Sequence, residues 1–131
     1  MPTPVVLIVD DEALIRWSLS EGLTEHGYVV RLAGTAAEAR AVLIGFGREP
    51  LVVVLDLRLP DMNDLSLLRE IRARRPDAAV IMMTAHGTPE DAKEARALGV
   101  AHFVAKPFDV SDMVSRVGSA WAAQQAGRPV S

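Results

Sequence analysis

The amino-acid sequence predicts an α/β fold in which a doubly wound, five-stranded parallel sheet carries helices on both faces. Five short aliphatic runs recur along the 131 residues. Their starts lie roughly 23 residues apart, which is the length of a strand, a helix and two loops. Three of the runs are apolar throughout, as strands are when both faces of a parallel sheet are covered. Helical patterns with capping signals fill the intervals.

The predicted strands coincide with the aliphatic runs. They are VVLIV (5–9), YVVRLA (28–33), LVVVL (51–55), AVIMM (79–83) and HFVA (102–105). Crossovers between parallel strands are right-handed, and this favours a doubly wound sandwich. For five strands the economical order is the flavodoxin-like 2-1-3-4-5, although the pattern alone does not fix it.

The first three helices are predicted from apolar spacing and from residues that begin or end helices. Helix 1 covers about residues 12–26, and Gly27 ends it. Helix 2 opens at Thr35, which forms a capping box with Glu38 and so satisfies free backbone amides. Helix 3 covers about residues 65–74.

The last two helices carry clear caps. Helix 4 opens with Thr88 as the cap and Pro89 at the first helical position, followed by acids that the helix dipole favours. It ends at Gly99. Helix 5 follows Asp109 or Ser111. Its apolar residues share one side of the helix: Val110, Met113, Val114, Val117 and Trp121.

Composition and length bound the protein class. Residues 1–123 suit one domain, and residues 124–131 lose periodicity, as a tail or the start of a linker does. The net charge is −3 without a basic cluster, so we expect no direct nucleic-acid contact. The absence of cysteine excludes disulfides and thiolate metal sites. Because the aliphatic runs are short and the N-terminus lacks a basic leader, we expect a soluble, cytoplasmic protein without a membrane segment.

Polar residues follow four of the five predicted strands. The acids of residues 10–12 follow strand 1, Asp56 ends strand 3, Thr84 follows strand 4 and Lys106 follows strand 5. In such a sheet, ligands bind outside the carboxyl ends of the strands, where the strand order reverses. In the order 2-1-3-4-5 that point lies between strands 1 and 3, so we expect these residues to converge on one crevice.

The chemistry of this set indicates phosphoryl transfer. Clustered carboxylates repel one another unless a cation lies among them, and the oxygen ligands of Asp10, Asp11 and Asp56 suit Mg²⁺ or Mn²⁺. A carboxylate beside such a metal can attack phosphorus and form an acyl phosphate. Lys106 and the Thr84 hydroxyl, with backbone amides, would neutralise oxygens of the transferred group. The sequence therefore predicts Asp56 as a phosphate acceptor.

Each of these residues has a simpler interpretation when it is taken alone. The acids of residues 10–12 could only favour the positive end of helix 1. Thr84 could satisfy a loop, and Lys106 could be an ordinary solvated lysine. Lys106 is, however, one of two lysines beside twelve arginines, and the proline after it holds its backbone extended. The convergence of all four strand ends is what makes the signal specific.

With these residues identified, the sequence resembles a response-regulator receiver domain of a two-component signalling system. The resemblance covers about residues 4–122. The matching motifs, in order, are LIVDDE (7–12), LDLRLPDM (55–62), MTAHG (83–87) and FVAKPFD (103–109). Each motif alone is weak, but the set in this order and spacing is highly specific.

The resemblance implies a phosphorylation and metal site. Asp56 matches the phosphorylated aspartate, Asp11 the direct metal ligand and Asp10 the acid that holds a metal-bound water. The backbone carbonyl of Arg58 would complete the metal site.

The resemblance also implies a set of phosphate-contacting and switch residues. Thr84 matches the hydroxyl that moves toward the phosphoryl group, and Ala85 follows it in the same set. Lys106 matches the phosphate-contacting lysine, and Phe103 the switch aromatic. The Lys106–Pro107 bond is expected to be cis.

The family implies a signalling cycle with protein partners. A sensor histidine kinase presents a phosphohistidine, and Asp56 takes the phosphoryl group with Mg²⁺. Phe103 then turns inward, and the face of helix 4, strand 5 and helix 5 changes shape. A homodimer through this face is a family expectation. The domain would catalyse only its own phosphorylation and dephosphorylation, so we class it as a switch rather than an enzyme.

Trp17 indicates a subtype. The tryptophan in ALIRWSL (13–19), together with TAHG (84–87), resembles receivers of the NtrC type, which are joined to an AAA+ ATPase that activates σ54 transcription. The chain would then be the receiver of a longer regulator whose output domain, an AAA+ ATPase with DNA binding, lies outside it. Alternatively, Trp17 is only a packing residue of helix 1.

The sequence departs from the family pattern at two places. Asn63-Asp64 replaces the usual Asp-Gly pair, and the glycine position favours positive φ. We expect Asp64 to adopt that angle at some cost and to alter the shape or hydration of the loop. His102 stands where an aspartate is common before the switch aromatic, and no mechanism is attached to it.

Other protein classes are disfavoured by particular residues. A phosphatase of the aspartyl-phosphate type would need an acid where Arg58 stands. A flavin or nucleotide module would need a small-residue loop after strand 1, where the acids of residues 10–12 would repel phosphate. A degenerate receiver used only for docking would not need the intact acid, threonine and lysine set. His26, His86 and His102 lack ligand spacing and suit solvated or packing roles.

Overall fold

The computed structural model describes residues 3–127, and within them the chain forms the predicted parallel sheet. The strands are β1 (Val5–Val9), β2 (Val29–Ala33), β3 (Leu51–Asp56), β4 (Ala79–Thr84) and β5 (His102–Ala105). Their order is β2-β1-β3-β4-β5, and every neighbouring pair is parallel. The predicted fold class and strand order are confirmed.

Five helices cover the two faces of the sheet. They are α1 (Ala13–Glu25), α2 (Ala36–Gly45), α3 (Ser66–Arg74), α4 (Pro89–Ala97) and α5 (Val110–Ala126). One apolar core lies between the sheet and the pair α1 and α5. The other lies between the sheet and α2, α3 and α4.

The central strands are buried along their whole length. Every residue of β3 and β4 is buried, because successive side chains point into the two different cores. Val52 and Val54 face α1 and α5, whereas Val53 and Leu55 face the opposite helices. Full burial of one such side chain contributes about 1.5–3 kcal/mol, so β3 is firmly held up to Asp56 at its end.

The predicted helix caps are present, with one displaced partner. Thr35 Oγ1 accepts a hydrogen bond from the Glu38 N–H at 3.0 Å, but the Glu38 carboxylate accepts from Gly34 rather than from Thr35. At the start of α4, Thr88 and Asp91 form a complete capping box. These local bonds satisfy amides that a helix start leaves free.

The expectation of a positive φ at Asp64 is wrong, whereas the expected change in the shape or hydration of the loop stays a prediction. Within residues 3–127, positive φ angles occur only at Gly27 and Gly99, which follow α1 and α4 as predicted. The Asp64 carboxylate instead accepts a hydrogen bond from the Ser66 N–H at 2.9 Å, beside the start of α3. A side chain that can accept this bond serves the helix start in a way that glycine cannot.

The exposure of Trp17 and the end of α5 both differ from what the sequence predicts. Trp17 is 61% exposed, so the interpretation of this residue as packing is wrong. Helix α5 continues to Ala126, beyond the predicted start of the tail at residue 124. Residues 128–131 lie outside the described residues, and the domain boundary stays a prediction. No helix within residues 3–127 is both long and apolar enough to span a membrane.

Candidate functional site

The polar residues at the strand ends meet at one edge of the sheet. The parallel register aligns the carboxyl ends of β1, β3, β4 and β5. Asp10, Asp56 and Thr84 lie there with exposures of 0%, 5% and 3%, and they are the buried polar residues of the described part of the chain. Buried polar groups require hydrogen-bond or charged partners, and these three side chains lie together at one edge of the sheet.

Lys106 supplies the cation of this cluster. Its Nζ lies 2.7 Å from Asp10 Oδ2, 2.9 Å from Asp56 Oδ2 and 3.2 Å from Glu12 Oε1, and its side chain is 8% exposed. The interpretation of Lys106 as a solvated lysine is therefore wrong. Glu12 precedes α1 but makes no side-chain capping bond, so its carboxylate acts toward Lys106 rather than toward the helix start.

Burial and pairing set the charges of the cluster. Burial raises the pKa of the Asp10 carboxyl, and the hydrogen bond and charge of Lys106 offset only part of this effect. Burial alone would lower the pKa of the Lys106 ammonium, but its contacts with Asp10 and Asp56 outweigh burial and raise that pKa. Lys106 therefore stays protonated at physiological pH and holds two buried carboxylates together.

The acids also fit a divalent cation. One carboxylate oxygen from each of Asp10, Asp11 and Asp56 lies within 4.8 Å of the others. Asp11 is exposed while the other two are buried, so the cluster opens to solvent on the Asp11 side. Oxygen donors that leave several positions free suit a hard ion such as Mg²⁺ or Mn²⁺.

The loop after β3 is tied to Asp56. The Arg58 N–H donates to Asp56 Oδ1 at 3.0 Å, and this fixes one carboxylate oxygen while the other faces Lys106. The Arg58 guanidinium donates to the carbonyl oxygen of His86 across the mouth of the crevice at 3.2 Å. Arg58 thus joins the loops that follow β3 and β4.

Thr84 and Phe103 are linked through the loop that follows β4. Thr84 Oγ1 accepts a hydrogen bond from the His86 N–H at 3.2 Å, so in this conformation the hydroxyl satisfies a loop amide. A Cβ placed on Gly87 would lie 2.6 Å from the Thr84 methyl group and 2.9 Å from the Phe103 ring. Phe103 is partly buried against the core beneath α4. The loop therefore packs directly on both side chains.

Cavities lined by the described residues adjoin the cluster. One of about 190 Å³ lies over the carboxylates and is lined by Asp11, Glu12, Asp56, Arg58, Thr84, Ala85, His86 and Lys106. The second, about 390 Å³, is an apolar groove between α1 and the loop that joins β5 to α5. Leu14, Ile15, Pro107 and Phe108 line it, and the Lys106–Pro107 bond is cis as expected.

Sequence reasoning missed two polar contacts near the site. Glu12 is expected at the crevice together with Asp10 and Asp11, but the contact of its carboxylate with Lys106 is not predicted. Asp61 accepts hydrogen bonds from the Ala36 and Ala37 N–H groups, which are 25 and 24 residues away. No periodic pattern indicates a role for Asp61, because it lies in a loop and its partners belong to α2, which is distant in the sequence.

Comparison with known proteins identifies the family. The family model of the response regulator receiver domain matches residues 6–118. This chain belongs to the response regulator receiver family. The receiver domain is 37% identical over 123 residues to the DNA-binding transcriptional regulator NtrC of Bradyrhizobium sp. (strain RP501 Parasponia), a match that covers 93% of the chain and 25% of that protein. The chain therefore spans about a quarter of the length of this relative.

Solved structures agree with this assignment. The receiver domain superposes with a TM-score of 0.87 on a CheY-like receiver domain from Methanospirillum hungatei JF-1, at 27% identity, covering 97% of this chain and all of that one. It superposes with a TM-score of 0.80 on the beryllofluoride-activated NtrC4 receiver domain dimer, at 36% identity, covering 91% of this chain and 97% of that one. The fold and the similarity to NtrC-type receivers are thus confirmed.

Proposed function

We propose that the receiver domain is a phosphorylation-dependent switch in which Asp56 accepts a phosphoryl group. The observation that carries this proposal is the position of Lys106, which lies within 3 Å of both Asp56 and the buried Asp10 while Asp11 opens the cluster to solvent. An acceptor carboxylate, a fixed cation and an open acidic rim are the parts that transfer to a carboxylate requires.

The acidic rim would hold Mg²⁺ or Mn²⁺. Asp10, Asp11 and Asp56, with the backbone carbonyl of Arg58, would provide oxygen ligands, and Asp10 would act through a bound water. When bound, the ion supplies positive charge that lets several carboxylates and an incoming phosphate approach one another. Lys106 offsets only part of the charge of the three acids, so a cation is expected to bind readily.

The residues of the chain would carry out the transfer. A carboxylate oxygen of Asp56 attacks phosphorus, the bond from phosphorus to the donor nitrogen breaks, and the imidazole leaves with its electron pair. Lys106, already aimed at Asp56, neutralises one phosphoryl oxygen, while the Thr84 hydroxyl and the Ala85 amide approach another. Hydrolysis by water later regenerates Asp56. In this cycle the domain modifies only itself, so we class it as a signalling switch.

The switch would act through Thr84 and Phe103. Thr84 exchanges its bond with the His86 amide for the phosphoryl group, and Phe103 follows because Gly87 packs on both. A change from 1:99 to 99:1 between two conformations requires about 5.5 kcal/mol. Two or three charge-assisted hydrogen bonds of roughly 1.5–3 kcal/mol each supply that difference. The face formed by α4, β5 and α5 would then change shape.

The partners follow from the family and from the similarity to NtrC. A sensor histidine kinase would donate the phosphoryl group in the cytoplasm, and an output domain would respond. By analogy with NtrC, that output would be transcriptional, with an AAA+ ATPase and a DNA-binding segment in the longer protein. The beryllofluoride-activated NtrC4 receiver is a dimer, and a homodimer through the face of α4, β5 and α5 is proposed here as well.

Incubation with acetyl phosphate tests the proposal. The intact mass should rise by one phosphoryl group in the presence of Mg²⁺ and stay unchanged in EDTA. Asp56→Asn should abolish the increase, whereas His86→Ala should still accept phosphate. A folded wild-type protein that gains no phosphoryl group, or an Asp56→Asn variant that gains one at the wild-type rate, would contradict the proposal.

A further inference from the structure

Asp61 joins the loop after β3 to the beginning of α2. Its Oδ1 accepts a hydrogen bond from the Ala36 N–H at 2.8 Å, and its Oδ2 accepts one from the Ala37 N–H at 3.0 Å. Both amides belong to the first turn of α2, where backbone donors have no partner within the helix. The two hydrogen bonds lower the pKa of the Asp61 carboxyl, so it is ionised at neutral pH.

The anchored loop is short and follows the acceptor directly. Leu59 and Met62 exchange both backbone hydrogen bonds, at 2.8 and 3.2 Å, so that Pro60 and Asp61 form the centre of a tight turn. The turn begins one residue after Arg58, whose N–H donates to Asp56 Oδ1. A shift of Asp61 would therefore be transmitted through Pro60 and Leu59 to the backbone of Arg58.

Helix α2 is a fixed anchor that does not need Asp61 for its own local cap. Thr35 Oγ1 already caps the Glu38 N–H, and Glu38 accepts from Gly34. Ala36 and Ala39 are fully buried in the core beneath the sheet. Local residues thus already accept hydrogen bonds from some of the free N–H groups at this helix end. The bonds from Asp61 add a long-range attachment to it.

We propose that Asp61 is a positioning residue of the phosphorylation site. By fixing the turn against α2, it holds the backbone of Arg58, whose N–H reaches Asp56 and whose carbonyl is the proposed metal ligand. This inference rests on the proposed function of Asp56 and extends it. Residues that orient the ligands of a metal site influence its affinity without touching the ion.

The variants are chosen to separate positioning from helix stability and from charge. Asp61→Ala removes both acceptors, and Asp61→Asn keeps one acceptor oxygen without the charge. Thr35→Ala removes a cap from the same helix end without touching the loop. Glu38→Gln removes one negative charge from the same end and keeps an acceptor for Gly34.

Four measurements are made on each variant. They are the Mg²⁺ dissociation constant by calorimetric titration, the rate of phosphorylation by acetyl phosphate at limiting Mg²⁺, hydrogen exchange of the Arg58 amide without metal, and the midpoint of thermal unfolding. Asp61→Ala should weaken Mg²⁺ binding about tenfold, slow phosphorylation to a similar degree and speed exchange of the Arg58 amide. Asp61→Asn should fall between Asp61→Ala and wild type. Thr35→Ala and Glu38→Gln should lower thermal stability with wild-type Mg²⁺ affinity.

Two results would overturn the inference. The first is an Asp61→Ala variant with wild-type Mg²⁺ affinity and wild-type exchange at Arg58. The second is a Thr35→Ala variant that loses Mg²⁺ affinity to the same degree, which would assign the effect to α2 as a whole. If wild-type protein neither binds Mg²⁺ nor takes up phosphate, the proposed function fails, whereas the exchange measurement still reports on the attachment of the loop.

Discussion

Lys106 is the residue on which the charge balance of the metal-free site depends. Lys106→Met leaves Asp10, which is fully buried, without its cation. We expect this to lower the free energy of unfolding at pH 7 by about 3–5 kcal/mol, the usual cost of removing one partner of a buried ion pair. Urea unfolding in EDTA measures the loss. Lys93→Met, at an exposed position on α4, is the control and should unfold as wild type does.

The same variant has a defined pH dependence. The pKa of Asp10 is raised in the folded protein, and loss of Lys106 should raise it further. A carboxyl whose pKa is higher in the folded than in the unfolded state stabilises the folded state when it takes up a proton. Lys106→Met should therefore recover stability relative to wild type as the pH falls from 7 toward 5. A stability difference that stays constant over this range would show that Asp10 is not the group left unpaired.

Single residues also show what sequence reasoning can reach. The convergence of Asp10, Asp56, Thr84 and Lys106 was predictable because strand order alone brings the carboxyl ends of parallel strands together. The conformation of Asp64 was not predictable, because its side chain accepts a bond from Ser66 and makes a positive φ unnecessary. Topology fixes where a strand end lies, whereas a loop conformation depends on which local hydrogen bonds prevail.

Between elements, His102 on β5 makes a pH-sensitive contact with α5. The Arg116 guanidinium lies 3.3 Å from His102 Nδ1, and Arg116 also pairs with Asp112. Burial lowers the pKa of His102, and the charge of Arg116 lowers it further while Asp112 opposes this effect. A neutral imidazole can accept a hydrogen bond from Arg116, but a protonated one would be repelled.

This contact should make stability fall in mild acid. Because the folded-state pKa of His102 lies below its ordinary value of 6.5, its stabilising contribution is present above that pH and is lost as the pH falls through the lower folded-state value. Unfolding of wild type and His102→Asn at pH 7.5 and 5.5 should show a smaller acid loss in the variant. Arg116→Gln should also reduce the loss. An Arg116→Gln variant with the full wild-type loss would exclude the contact as its source.

The loop between β4 and α4 is limited by its packing on β5. In Gly87→Ala, the new methyl group would approach Thr84 and Phe103 more closely than side chains tolerate, so one of them must move. We expect the free energy of unfolding to fall by about 1–3 kcal/mol, as overpacking usually causes. Gly45→Ala, at the end of α2 with no atom within 4 Å of the new carbon, should be neutral or stabilising by up to about 1 kcal/mol.

Thermal unfolding and the rate of phosphorylation by acetyl phosphate are measured on both glycine variants. Equal stability of the two variants would show that the loop gives way without strain.

At the level of elements, periodicity and caps predicted all five helices and all five strands. The contacts of Gly87 and of Asp61 with other elements were not predictable, because they depend on the distances between loops rather than on a repeating pattern.

Across the whole molecule, the site adjoins an apolar surface. The apolar groove between α1 and the loop that joins β5 to α5 opens beside Lys106 and reaches Val110 at the start of α5. In the proposed cycle a donor protein would place its phosphohistidine over Asp56, and its adjoining apolar surface would then lie in the groove.

Leu14 provides the test of this arrangement, because it lines the groove and is 72% exposed. Leu14→Arg should slow phosphotransfer from a phosphorylated sensor kinase about tenfold, the effect of losing a central apolar contact. Phosphorylation by acetyl phosphate should be unchanged, because a small donor does not need the groove. Trp17→Arg is the matched control, since Trp17 is similarly exposed on α1 but does not line the groove. If both variants slow kinase transfer equally, the donor covers all of α1, and if neither does, it approaches from another side.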